Sequence, residues 1–173
     1  MFQVLLTTFL WLVLAPGAGS EVGNQNAFAR LWAIPQDVPS DTVITLVRRD
    51  CYGGCPHYSL TIKADGSVLY DGYSDVKQKG KLESRISQEK LKALIAAFKE
   101  INYFDLQGRY DSKSEACPSF SFDAPSAKTS LTLNEKKKTI NHNAGCSGSQ
   151  ELGQLTWLER KIDEAVNAKQ WIE

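Results

Sequence analysis

A chain of 173 residues with 42% apolar and 23% charged content fits one ordinary hydrophobic core, and its mature part is expected to be soluble. Twenty basic residues balance twenty acidic ones, and Lys136-Lys137-Lys138 is the only basic run, too short for the counterion release that nucleic-acid binding depends on. A second full domain, a wholly disordered chain, a multi-span membrane protein and a nucleic-acid partner are set aside on these grounds.

Val4 to Leu14 is an apolar run broken only by Thr7 and Thr8, and Ala15-Pro16-Gly17-Ala18-Gly19-Ser20 follows it. As a helix this run reaches about 16 Å, short of the ~30 Å hydrocarbon core, so residues 1–20 read as a signal peptide cleaved before Glu21. Export to the periplasm or beyond follows, with no stable membrane span after cleavage. No cysteine lies near the cleavage point to be acylated. Residues 21–40, with Pro35 and Pro39, form a lead-in linker, and 41–173 a single domain.

Within the domain, Val43 to Arg49 is rich in β-branched residues, and His57 to Lys63 alternates with Tyr58, Leu60 and Ile62 on one face. Cys51-Tyr52-Gly53-Gly54-Cys55-Pro56 joins these two strands. Ala64-Asp65-Gly66 signals a hairpin turn into Ser67 to Asp71, and the meander continues from Val76 to Ile86 with Gly80 as a candidate bulge. Leu91, Leu94, Ile95, Phe98 and Ile101 then recur at helical spacing behind a Ser87 cap. After a connection of about twenty residues from Gly108 to Lys128, long for a compact domain, comes a second hairpin. Its strands are Thr129 to Leu133 and Lys138 to His142, with a turn at Asn134-Glu135-Lys136. A last helix runs from Gln150 to Ala168. The expected fold class is α+β: an antiparallel meander of about four strands, a helix, a β-hairpin and a C-terminal helix.

Cys51 and Cys55 lie between the first strands, while Cys117 precedes the later hairpin and Cys146 follows it, so all four can meet at one sheet edge. Export makes disulfides the first reading, and four cysteines allow three connectivities that sequence does not choose among. A metal centre is the alternative: Cys51, Cys55, His142 and Cys146 offer three thiolates and an imidazole suited to zinc, with Cys117 and His57 as spare ligands.

His57 and His142 are the only histidines, which keeps the search for acid–base chemistry short. His142 with Asp123 and Ser126 or Ser130 can be drawn as a triad, but no Gly-x-Ser-x-Gly turn accompanies them. No catalytic residue and no cofactor are expected. Asp123 and His142 are kept as a candidate functional surface; Asp123-Ala124-Pro125-Ser126 also reads as a rigid turn.

Cys51-x-Gly53-x-Cys55-Pro56-x-Tyr58, Asp65-Gly66-x-Val68-x-Tyr70-x-Gly72, Asp123-Ala124-Pro125 and His142-x2-Gly145-Cys146 together resemble a family of exported bacterial proteins catalogued as a domain of unknown function. The resemblance spans Val43 to Ile172. It implies a bacterial, extracytoplasmic domain and transfers no activity. Members often carry an aromatic residue directly after the histidine, where this chain has Asn143. The expected function is a non-catalytic binding or envelope-associated module for a protein or glycan partner. The alternative is a metal-binding protein or hydrolase using the cysteine cluster with His142 and Asp123.

Overall fold

The computed structural model describes residues 37–49 and 51–173, which lie within one compact unit. The expected signal peptide and the first sixteen residues of the lead-in, through 36, lie outside the described residues.

Strands β1 (Val43–Arg49), β2 (His57–Lys63), β3 (Ser67–Ser74) and β4 (Gly80–Arg85) form the meander, each antiparallel to the next. Gly66 in the β2–β3 turn has φ +79°, and an added Cβ would stand 2.5 Å from the Ile86 carbonyl oxygen, so glycine is required twice over. The sheet irregularity falls between His57 and Tyr58, while Gly80 opens β4.

Helix α1 (Gln88–Glu100) starts where the sequence signals it, with the Ser87 hydroxyl accepting the Lys90 N–H. It buries Leu91, Leu94, Ile95 and Phe98. The hairpin of β7 (Ser126–Leu133) and β8 (Lys136–Asn143) turns on two residues, not three. Asn134 and Glu135 both adopt positive φ, 51° and 64°, the geometry that a two-residue hairpin demands, so Lys136 belongs to the strand. The Asp41 carboxylate accepts both of their N–H groups.

Meander and hairpin are one sheet. β7 lies antiparallel along the other edge of β1 and Arg109–Tyr110 adds β5 beyond β8, giving the order β4-β3-β2-β1-β7-β8-β5, so the expected four-strand meander is part of a seven-stranded sheet. A free β1 edge would leave a row of unpaired backbone groups in the middle of the domain, and β7 satisfies them. β5 (Arg109–Tyr110) runs parallel to β8 and closes one side, while β4 closes the other. The long connection is internally built as well: β6 (Ser119–Phe120) pairs with β9 (Cys146–Ser147) in a separate two-stranded sheet. Helix α2 (Gln150–Val166) ends at Asn167, which is left-handed at φ 55°. A short α3 (Lys169–Ile172) then sets Trp171 against Tyr70, ring centroids 4.9 Å apart.

The register arranges the helix-covered face in rows across the strands. Val68, Ile62, Ile44 and Leu131 make one row, and Leu82, Tyr70, Leu60, Leu46, Thr129 and Ile140 the next. Between Ser84 and Lys138, which end the first row on β4 and β8, both are apolar apart from Thr129, whose hydroxyl bonds Tyr103 Oη at 2.8 Å. The third row, nearest the Cys51–Cys55 connection, is Gly72, Tyr58, Arg48, Ala127, His142 and Tyr110. It breaks the pattern with four polar side chains under a helix.

Candidate functional site

The four cysteines form two disulfides, Cys51–Cys55 and Cys117–Cys146. The first closes the β1–β2 loop upon itself, with Gly53 and Gly54 both at positive φ. The second ties the 111–125 segment to the strand beyond β8, across a separation of 29 residues. Both sit at the same end of the sheet, because β1 finishes opposite the start of β7 and the end of β8. No bridge joins Cys51 to Cys146. Beside the second disulfide the Gly145 N–H reaches the Asn143 Oδ1 at 2.8 Å, and a Cβ on Gly145 would lie 2.0 Å from the Ser121 carbonyl oxygen. Asn143 thus holds the turn, and Gly145 lets β6 approach.

His142 is placed differently from its sequence expectation. It is only 3% exposed, and its Nδ1 lies 2.8 Å from Glu159 Oε1 on α2. A carboxylate only accepts, so Nδ1 carries the proton. The other Glu159 oxygen faces Arg48 Nη1 at 3.5 Å. Arg48 also donates from Nε and Nη2 to Asp163 Oδ2, at 2.9 and 2.7 Å, and the Tyr58 hydroxyl donates to Asp163 Oδ1 at 2.7 Å. At the far end of the row the Tyr110 hydroxyl donates to Glu151 Oε2 at 2.6 Å.

These pairings fix how α2 lies. Glu151 to Asp163 is about 18 Å of helix at about 1.5 Å per residue, and β5 to β2 is four strand spacings, about 19 Å at about 4.8 Å each. The helix therefore crosses the strands along the third row, one acidic side chain after another meeting a donor below. Burial disfavours the Arg48 charge, but Asp163, Tyr58 and Glu159 together more than offset this and hold its pKa above the ordinary value. Burial pushes the Asp163 carboxyl up, with Arg48 and Tyr58 pulling it back, and burial beside Asp163 raises Tyr58. Buried ion pairs contribute little net stability but are costly to break, so this seam specifies one seating of α2 on the sheet.

The sequence-proposed site residues are not brought together. Asp123 is exposed, at φ 65°, in the turn ahead of Pro125. Ser126 and Ser130 face away from His142, since the alternation of β7 puts Ala127 beside it, and the Ser130 hydroxyl bonds Thr45 Oγ1 at 2.7 Å. Cys51, Cys55 and Cys146 are held in disulfides and His142 is held by Glu159. Among the described residues no group of three or more His, Cys, Asp or Glu side chains is placed to hold a metal ion. His57 stacks obliquely on Tyr73, ring centroids 4.7 Å apart.

A cleft of about 280 Å³ opens where the row ends, between β5, β7 and β8. Ala127, His142 and Tyr110 line it from the seam; Arg49, Arg109 and Lys128 line it with Asp111 and the polar side chains of Ser126, Asn141 and Asn143.

The family model of a domain of unknown function, DUF6438, matches residues 42–166. The chain belongs to the DUF6438 family. The match runs from the residue before β1 to the end of α2, so every partner in the seam falls within the DUF6438 domain. Among curated proteins no match to the chain was found. The two disulfides of this DUF6438 domain are compatible with export, and among its described residues no helix is long and apolar enough to cross a membrane.

Arg48, Glu159 and Asp163 escape the sequence reading because charged residues normally mark a solvent face. One signal was present. Leu152, Leu155, Glu159, Ile162 and Val166 recur at alternating three- and four-residue spacing, with Glu159 inside the apolar stripe and 4% exposed.

Proposed function

We propose that the domain is a non-catalytic binding module, exported and envelope-associated, that meets a protein or glycan partner through the disulfide-held end of its sheet. One observation carries this reading. Among the described residues the two most exposed large apolar side chains, Tyr52 at 90% and Phe122 at 82%, each ride on a loop clamped by a disulfide at that end. Aromatic side chains that are left in water on rigid loops suit recognition, because little conformational freedom remains to be lost on binding. Phe122 is braced further by Phe120, whose ring it meets edge-on at 5.3 Å. The buried seam supports the same division: its acids, imidazole and guanidinium are engaged with one another in seating α2.

Co-sedimentation of the purified, oxidised domain with isolated bacterial envelope fragments tests the reading. Wild type is expected to be retained, and Tyr52→Ala with Phe122→Ala to lose most of that retention while keeping the wild-type circular dichroism spectrum. Retention indifferent to both aromatics, or none by wild type, removes the reading. Free thiols or stoichiometric zinc in protein recovered from outside the cytosol would favour the metal alternative instead. Such protein is expected to begin at Glu21.

A further inference from the structure

We propose that the cleft between β5, β7 and β8 binds an oxyanion, a carboxylate or phosphoryl group carried by the ligand; this rests on reading the domain as a binding module. The register builds the site. Arg49, Ser126 and Asn143 stand directly opposite one another on β1, β7 and β8, and one step along the same face Lys128, Asn141 and Arg109 do so on β7, β8 and β5. Cross-strand neighbours lie about 5 Å apart, so the two rows converge their donors on one small volume.

The lining holds three cations against a single carboxylate, Asp111, whose Oδ2 lies 3.5 Å from Arg109 Nε. Among the described residues the Arg49 and Lys128 side chains have no hydrogen-bond or ion-pair partner. The Asn143 amide has donors to spare for the same task. The Asn143 Oδ1 is occupied by the Gly145 N–H, which leaves its two N–H donors to offer. The Glu159 and Glu151 carboxylates are bonded to His142 Nδ1 and the Tyr110 hydroxyl on the helix-covered face, the opposite side of the sheet from Arg49, Lys128 and Arg109.

Like charges gathered on adjacent strands repel, and an anion between them removes that repulsion. Arginine adds a planar fork that matches a carboxylate or phosphate edge in a paired geometry. The volume of about 280 Å³ lies at the small end for ligand sites, which suits a single anionic unit.

The test is an amide-resolved NMR titration of the oxidised protein at constant ionic strength with inorganic phosphate, with glucuronate and with uncharged glucose. Saturable shifts are expected at Ser126, Lys128, Asn141 and Asn143 with at least one anion and none with glucose. Response to phosphate alone assigns a phosphoryl source, response to glucuronate alone a carboxylate source, and response to both the shared oxyanion chemistry. Arg49→Glu with Lys128→Glu should weaken binding at least tenfold, and Lys63→Glu, at the far end of β2, should leave it unchanged. Should the double variant fail to fold, Lys128→Gln alone is expected to weaken binding several-fold. No saturable shift with either anion, equal shifts with glucose, or affinity indifferent to these cleft substitutions overturns the proposal. Envelope retention that needs Tyr52 and Phe122 while no anion binds would sink this inference alone and leave the binding module standing.

Discussion

Arg48 and Arg49 are neighbours in sequence, and strand alternation sends them to opposite faces of the sheet with opposite fates. Arg48 goes under α2, where two carboxylates and a tyrosine complete its surroundings. Arg49 goes to the open face, into the cleft, with no partner among the described residues. The same residue type serves assembly on one side and, on our reading, recognition on the other; what differs is whether the complementary charge is supplied by the chain itself.

The sharpest way to break this comparison is Asp163→Ala, which strips Arg48 of its paired acceptor and Tyr58 of its own. Uncompensated charge in a buried pair costs about 3–5 kcal/mol, so the urea midpoint should fall steeply. A loss no larger than that of Arg49→Ala would show that the seam is not structural. Next come the disulfides, which serve the open end. Removing Cys117–Cys146 is expected to cost about 3.5 kcal/mol and Cys51–Cys55 about 2 kcal/mol by loop-closure entropy, a ranking that equilibrium unfolding of the two double serine variants can check.

Alkaline pH probes the helix-covered face more gently. Burial first, and then the Glu151 hydrogen bond, pushes the Tyr110 phenol up to about 12; burial likewise raises Tyr58, Tyr70 and Tyr103. A folded-state pKa above the unfolded value means that the contribution is complete below about pH 10, the ordinary tyrosine value, and is lost as pH climbs through the folded value. The phenolate absorbance of these four buried tyrosines should therefore lag until circular dichroism reports unfolding. Smallest of all, Arg49→Ala should change stability by about 0.5 kcal/mol or less, as exposed substitutions usually do, while weakening anion binding in the cleft.

How much of this was legible in the sequence follows from the range of each interaction. Helix α1 declares itself through Leu91, Leu94, Ile95 and Phe98 and a Ser87 cap within one local window. The Asp65-Gly66 turn is equally local. The pairing of β7 with β1 is not, because Val47 meets Lys128 across 81 positions and no periodicity encodes that choice. β5, β6 and β9 are two residues each, too short to show any alternation. For the site, the sequence pointed to disulfides among the four cysteines and kept His142 as a candidate surface residue, whereas its side chain is buried against Glu159. Its true partner, Glu159, was hidden because a charge at a core position looks like noise until the opposing strand supplies the imidazole.

The two borders of the seven-stranded sheet bear on how the protein behaves in a crowded compartment. On β4, Lys81, Glu83 and Arg85 alternate along the rim, so an approaching foreign strand would have to accommodate charges on every second residue. On the other rim, β5 pairs only Asn141 and His142 of β8, and the stretch of β8 that it leaves uncovered opens with Lys136-Lys137-Lys138, whose charges deter an added strand. The architecture thus resists amyloid-like stacking at both margins and needs no extra covering element to do so.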